Sequence, residues 1–178
     1  IVVGFKMEMI MEAHPNVSFV YNEVYDQTNT SKSLLKALRV SQESGVLWLN
    51  GDVVFDAEVL VRIRERILNE KSFVCVNTSA TAEEEVKYTV DKKGYIKALS
   101  KQVQGALGEA VGINFISKHD KPAVITYLDQ CSDNDYFERG LELAIEKDGL
   151  KIKAVDISAY NCMEIDFAED LDNANKML

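Results

Sequence analysis

Short apolar runs alternate with amphipathic segments through the first half of the chain, and this alternation constrains the fold more than any other feature. The run Val46–Asn50 lies between two glycines, as buried strands often do. Asp56 is then expected to cap a helix whose apolar residues repeat at helical spacing. Those residues are Val59, Leu60, Ile63 and Ile67. Alternating strands and helices predict an α/β fold.

The middle of the chain carries a different signal. Two apolar runs, 86–90 and 95–99, flank the turn sequence Asp91-Lys92-Lys93-Gly94. This pattern is typical of a β-hairpin. The prediction is therefore a mainly parallel mixed sheet flanked by helices, with an inserted β-hairpin, in one domain that spans residues 1–178.

Two apolar runs end in acidic residues. Asp52 follows Val46–Gly51, and Glu164 and Asp166 follow a second run much later in the chain. In open α/β sheets, ligands bind beyond the carboxyl ends of the strands. On an extended chain Glu164 and Asp166 point to the same side. Three converging carboxylates repel each other unless a cation neutralises them, and Mg²⁺ is the natural occupant when a phosphate ligand is present.

Composition excludes some functions. The formal net charge of −9 disfavours nonspecific binding to nucleic acid or to an anionic membrane. No apolar stretch approaches membrane-spanning length. The three cysteines, Cys75, Cys131 and Cys162, are an odd number without metal-site spacing. They favour a reducing compartment, so we expect a cytoplasmic protein.

Four segments, taken in order, resemble a known family. They are the loop 21–34, Leu49-Asn50-Gly51-Asp52, Gly108–Ile113, and Met163-Glu164-Ile165-Asp166 followed by Glu169-Asp170-Leu171. Together they resemble the nucleotidyltransferases of the sugar-phosphate and phosphocholine cytidylyltransferase type. The resemblance implies a Rossmann-like nucleotidyltransferase fold. It also implies transfer of a nucleotidyl group, with CMP from CTP as the expected case, to a small phosphorylated or phosphonylated acceptor, with release of pyrophosphate.

The resemblance also implies roles for particular residues. Mg²⁺ would be held by Asp52, Glu164 and Asp166, and Asp52 and Lys101 would be catalytic. The nucleotide would meet Thr28, Asn29, Ser33 and Gly51, and the acceptor would meet Tyr25 and Glu109. These residues also have plainer interpretations: an Asx-turn at a strand end for Asp52, and the N-cap of the last helix for Asp166. Thr28, Asn29 and Ser33 can be loop or capping residues, and Lys101 a solvated lysine. Tyr25 can be a packing residue and Glu109 a charge at the start of a strand.

One departure from the family pattern leaves alternatives open. The family's first strand and glycine-rich phosphate loop have no counterpart here, because Ile1–Lys6 resembles the strand that follows them. We therefore expect a domain lacking its N-terminal strand and loop, in which a homo-oligomer could cover the exposed sheet. The alternatives are a sugar-1-phosphate nucleotidylyltransferase using UTP or GTP and a non-catalytic nucleotide-binding or regulatory domain. A glycosyltransferase is disfavoured, since Asp-x-Asp would be expected at Asp52.

Overall fold

A mixed six-stranded sheet forms the centre of the protein. The computed structural model describes residues 1–79 and 85–177. Its strands are β3 (Val46–Leu49), β5 (Phe73–Asn77), β6 (Lys87–Val90), β7 (Ile96–Ser100), β8 (Glu109–Ile116) and β9 (Lys153–Asp156). The hydrogen-bonded order is β7-β6-β8-β5-β9, and β3 also pairs with β8. Smaller ladders are formed by β1 (Val2–Val3) with β2 (Val20–Tyr21) and by β4 (Val53–Phe55) with β10 (Cys162–Glu164).

Helices cover both faces of this sheet. They are α1 (Met7–Ala13), α2 (Thr30–Val40), α3 (Glu58–Leu68), α4 (Lys121–Gln130), α5 (Phe137–Asp148) and α6 (Ala168–Met177). Strand β5 shows the layering: Val74 and Val76 pack with α2, α4 and α5, whereas Phe73 and Cys75 pack with α3. A strand that is buried on both faces needs apolar residues at successive positions, which explains the continuous apolar run of β5. Among the described residues, no helix is long and apolar enough to cross a membrane.

The predicted fold class is confirmed, and strand pairing refines one detail. Strand β8 runs antiparallel to β3, β5 and β6, while β5 and β9 pair in parallel. Strands β3, β5, β6 and β9 therefore share one direction. Most neighbouring pairs are nevertheless antiparallel, because β8 lies between strands of the opposite direction. The sheet is mixed, but its ladders are not mainly parallel.

The predicted hairpin is present between β6 and β7. Its turn is closed by a hydrogen bond from the Gly94 N–H to the Asp91 carbonyl at 2.9 Å. Gly94 has a φ of 75°, which is a conformation that glycine adopts without steric cost. The Asp91 carboxylate accepts hydrogen bonds from the N–H groups of Lys93 and Tyr95. The turn chemistry read in the sequence therefore fixes the hairpin.

Two details near the ends of elements differ from prediction. Asp56 does not cap α3: the side chain instead accepts a hydrogen bond from the Asn161 N–H at 2.9 Å, and Ala57 precedes the helix. Residues 53–55 form β4, a strand that sequence patterning did not indicate. Both differences have one cause, because residues 52–56 pair with the stretch 161–165. This contact is distant in sequence.

The first helix packs loosely. Helix α1 has no buried residue, and Phe5 and Met9 are 65% and 63% exposed. The ladder of β1 with β2 is not hydrogen-bonded to the six-stranded sheet among the described residues. Elsewhere in the described chain all three cysteines are unbonded, with Cys75 and Cys131 buried.

Gly112 supplies a test of how β8 is built. It has a φ of 70°, and a Cβ there would lie 2.8 Å from the Asn50 side chain. We expect Gly112→Ala to lower the free energy of unfolding by about 1–3 kcal/mol, because strain and crowding add. Urea unfolding measures the change.

Gly51→Ala is the matched control. No atom lies within 4 Å of a Cβ at Gly51, and its φ is not positive. Its unfolding free energy should stay within about 0.5 kcal/mol of the parent. Equal stability of the two variants would contradict the assigned backbone conformation of Gly112.

Candidate functional site

The short ladder of β4 with β10 joins the two acidic segments. Val53 pairs with Glu164, and Phe55 pairs with Cys162. The Ile165 N–H donates to the Asp52 carbonyl at 2.9 Å, which extends the ladder to the acidic residues themselves. The Asp52 and Glu164 segments thus run side by side, although they are far apart in sequence.

An acidic pocket of about 280 Å³ opens beside this ladder. We call it the acidic pocket because five carboxylates line it, those of Glu85, Glu109, Glu164, Asp166 and Asp170. The pocket also borders the start of β8 at Ala110 and Val111, and Phe167 contributes an aromatic ring. The pocket lies at the carboxyl end of β5, since Asn77 pairs with Glu109.

Glu164 interacts electrostatically with the other acids around it. Its pKa is raised to about 7, chiefly by burial and in addition by the neighbouring acids Glu85, Asp52, Asp166 and Glu109. Asp52 does not line the pocket, but it acts on Glu164 across the ladder. These carboxylates repel each other, and a positive charge placed among them would be attracted.

Preformed metal coordination is not evident in the side chains. Among residues 1–79 and 85–177, no group of three or more His, Cys, Asp and Glu side chains is arranged to hold a metal ion. The backbone therefore brings the predicted ligand segments together, while the ligand role of Asp52, Glu164 and Asp166 stays a prediction. The donor chemistry itself fits, because carboxylate oxygens are what Mg²⁺ prefers.

Glu109 lines the pocket, whereas Lys101 does not. Glu109 opens β8 and pairs with Lys87 on β6. The Lys87 ammonium donates to the Lys101 carbonyl at 3.3 Å. The Lys101 ammonium lies 4.6 Å from the centre of the Tyr136 ring, at the start of α5. The predicted catalytic role of Lys101 therefore stays a prediction.

Of the predicted nucleotide residues, Thr28 and Ser33 are hydrogen-bonded to Asn22, which is 1% exposed, and Asn29 lies beside them in the same loop. The Asn22 amide donates to the hydroxyls of Thr28 and Ser33, both at 3.1 Å. The Asn29 side chain accepts from the Thr30 N–H at 2.7 Å, which caps α2. The observed contacts are those of a rigid loop, and none of these residues lines the acidic pocket.

The remaining two predicted residues are placed differently. Gly51 lies exposed in the turn between β3 and β4, one residue before Asp52. Tyr25 packs against Gly4, with its ring 6.3 Å from that of Phe5, and does not line the acidic pocket. The packing interpretation of Tyr25 matches these contacts, and its role with an acceptor stays a prediction.

Sequence reasoning missed Glu138, a buried acid on α5. It is 7% exposed, and its Oε2 has no hydrogen-bond partner among the described residues. The pKa of its carboxyl is raised to about 7, and burial is the main cause. The nearby Glu164 also raises this pKa, whereas Lys101 lowers it. A signal was available, because Glu138 shares a helix face with the apolar residues Leu141 and Ile145. Glu85 and Asp170 were also missed as pocket residues, because they meet the distant Glu109 only in the folded protein. Asn22 was missed as well, because its hydrogen bonds form only when the loop folds onto α2.

Glu138 predicts a dependence of stability on pH. Its pKa is near 4.5 in the unfolded chain and about 7 in the folded protein. The folded state therefore holds an extra proton between these values, and stability falls as pH rises through that window. We expect Glu138→Gln to match the parent at pH 5 and to exceed it by up to about 3 kcal/mol at pH 8.

Urea unfolding at both pH values measures this difference. Glu146→Gln, on an exposed position of the same helix, is the control and should leave the pH dependence unchanged. If Glu138→Gln loses stability in parallel with the parent between pH 5 and pH 8, the carboxyl does not titrate as described.

Residues 1–122 match the family of MobA-like NTP transferase domains. Among curated protein sequences, no relative matches the chain.

Solved structures match over almost the whole chain. An inositol-1-phosphate CTP transferase from T. maritima is 15% identical with a TM-score of 0.79, covering 99% of this chain and 74% of its own. A CTP:phosphocholine cytidylyltransferase from Streptococcus pneumoniae is 15% identical with a TM-score of 0.72, covering 99% and 76%. A putative glucose-1-phosphate thymidylyltransferase from Bacillus anthracis is 12% identical with a TM-score of 0.77, covering 99% and 74%. At these identities the likeness establishes a shared fold.

Proposed function

This chain belongs to the family of MobA-like NTP transferase domains, and from that premise we propose a specific reaction. The protein transfers CMP from CTP to a small phosphorylated or phosphonylated acceptor in a Mg²⁺-dependent reaction. An acceptor oxygen forms a bond to the α-phosphorus, the bond from that phosphorus to the β-phosphate oxygen breaks, and pyrophosphate leaves. The acceptor phosphate is already a nucleophile, so no covalent enzyme intermediate is needed.

The observation that carries this proposal is the acidic pocket at the joined β4 and β10 segments. Catalysis of phosphoryl-type transfer is mainly a matter of positioning reactants and stabilising charge. Asp52, Glu164 and Asp166 would hold Mg²⁺, and the mutual repulsion that raises the pKa of Glu164 supports a cation there. When bound, the metal would neutralise charge on the polyphosphate.

The chain's own residues supply the remaining functions. Lys101, held by its contact with Tyr136, would meet the acceptor phosphate. Thr28, Asn29, Ser33 and Gly51 would lie on the nucleotide side, where the Asn22 network keeps the loop rigid. The preference for CTP is supported by two of the similar structures, which are named as a CTP transferase and a cytidylyltransferase.

The charge of the pocket favours a particular acceptor. Glu85, Glu109 and Asp170 line it in addition to Glu164 and Asp166, two of the three proposed metal ligands. One divalent cation offsets two negative charges, so negative charge is left over. An acceptor whose head group is cationic is attracted by this excess, whereas a neutral sugar or inositol ring is not.

Metal dependence and the role of Asp52 are tested together by measuring pyrophosphate release. We expect release with CTP and Mg²⁺, none in EDTA, and a fall in kcat/KM of about 100-fold or more for Asp52→Asn. Asp129→Asn removes the same charge from an exposed ion pair with Arg39 and should keep full activity. Full activity of Asp52→Asn would remove Asp52 from the mechanism.

Acceptor choice is tested with a panel of CTP, UTP, GTP and ATP against four acceptors. Phosphocholine and aminoethylphosphonate should exceed inositol 1-phosphate and glucose 1-phosphate. Glu109→Gln should raise the KM for the cationic acceptors about fivefold and leave the KM for CTP unchanged. Glu65→Gln, on the exposed face of α3, is the control.

The same panel separates the competing functions. Preference for UTP, GTP or another nucleotide with a sugar 1-phosphate would support a sugar-1-phosphate nucleotidylyltransferase, which the match to a putative thymidylyltransferase favours as second candidate. Nucleotide binding without pyrophosphate release would indicate a non-catalytic nucleotide-binding domain. We further propose that the protein is cytoplasmic and forms a homo-oligomer, for which light scattering is the measurement.

A further inference from the structure

A cluster of lysines lies at the opposite end of the sheet from the acidic pocket. It comprises Lys92 and Lys93 on the hairpin turn, and Lys151 and Lys153 at the start of β9; we call it the lysine cluster. Lys153 pairs with Phe73 at the beginning of β5, whereas the acidic pocket borders Asn77 at its end. The cluster is therefore separate from the proposed catalytic site.

The turn holds these cations close together. The Lys153 ammonium donates to the Lys93 carbonyl and lies 5.1 Å from the centre of the Tyr95 ring. The Lys151 ammonium lies 6.0 Å from the same ring centre. Gly94 makes this approach possible, because a Cβ there would lie 2.7 Å from the Lys153 ammonium. The arrangement is built by the backbone of the turn.

Few negative charges offset the positive charges of the cluster. Within residues 1–79 and 85–177, none of its four lysines forms an ion pair. The nearby Asp91 carboxylate is occupied by the N–H groups of Lys93 and Tyr95, and these hydrogen bonds lower its pKa. One carboxylate cannot balance four ammonium groups, so the cluster keeps a local excess of positive charge. This excess contrasts with the net charge of −9 of the whole chain.

The surface between these lysines is concave. Asp91, Lys92, Lys93, Tyr95 and Lys151 line a cavity of about 500 Å³. A cavity of this size suits a small ligand, because ligand sites span about 300–1,000 Å³. A flat membrane surface would contact protruding lysines rather than a concave site.

We propose that the lysine cluster binds the polyphosphate group of a small anion, at a site distinct from the acidic pocket. Linked phosphates carry several negative charges over a short length, which matches several ammonium groups around one cavity. Free inorganic triphosphate and the triphosphate of a nucleotide share this chemistry. The proposal is independent of the transferase reaction.

Calorimetric titration of the full chain with inorganic triphosphate tests the site directly. The titration is made in EDTA, so that no divalent metal assists binding at the acidic pocket. We expect Lys92→Gln/Lys151→Gln to weaken binding about tenfold, since two charge contacts are lost. Both side chains are exposed, so the fold should be retained, and thermal unfolding checks this.

Lys71→Gln/Lys118→Gln is the matched control, because it removes the same charge from two exposed lysines outside the cluster. Its affinity should stay within about twofold of the parent. In an amide NMR spectrum of the parent, triphosphate should shift the signals of Gly94 and Tyr95 and leave those of Asn77 and Glu109 in place.

The sources of the ligand are separated by adding CTP and cytidine. Because CTP is also the proposed transferase substrate, its binding to the lysine cluster is followed by the amide signals of Gly94 and Tyr95. By these signals, equal affinities for triphosphate and CTP would indicate recognition of the phosphates alone, and a higher affinity for CTP would add recognition of the nucleoside. Three results would overturn the proposal. They are an equal loss of triphosphate affinity in both lysine double variants, a shift of the Glu109 amide signal instead of that of Gly94, and binding of cytidine at Gly94 and Tyr95 with the affinity of CTP. Binding to anionic vesicles without any binding of triphosphate would also overturn it.

Discussion

Antiparallel pairing of β4 with β10 is the constraint on which the site depends. It holds Asp52 beside the stretch that carries Glu164 and Asp166, and it places both next to the start of β8. Carboxylates gathered in this way repel each other, and burial together with this repulsion raises the pKa of Glu164. Backbone hydrogen bonds and apolar packing of Val53 and Phe55 against the α3 layer offset the repulsion. An acidic site is thus maintained by the packing beneath it.

Charge is distributed unevenly over a chain that is acidic overall. Acids gather at the carboxyl end of β5, where Glu85 and Glu109 join the β10 acids, and lysines gather at its other end around Tyr95. The hairpin connects the two regions: its turn carries Lys92 and Lys93, while the start of β6 pairs with Glu109 of the acidic pocket. A net charge alone therefore gives a poor guide to the anions that such a protein attracts.

Features set by residues close together in the sequence were predictable, and features set by residues far apart in the sequence were not. The hairpin was predictable because Asp91 and Gly94 specify their turn locally, and the layered fold was predictable from apolar periodicity. Strand β4 and the true role of Asp56 were not predictable, because both depend on residues 161–165. Asn22 was missed for a similar reason: its hydrogen bonds to Thr28 and Ser33 form only when the loop folds onto α2.

The sequence by itself determined the α/β class, the hairpin, and the chemical identity of the acids at two strand ends, since periodicity, turn residues and side-chain types are local properties. Tertiary structure alone decided which acids share a pocket, the burial that gives Glu138 and Glu164 a raised pKa, and the antiparallel placement of β8. Those features arise from contacts between segments far apart along the chain. No local pattern encodes such contacts, because their free energy comes from burial and pairing that exist only in the folded state.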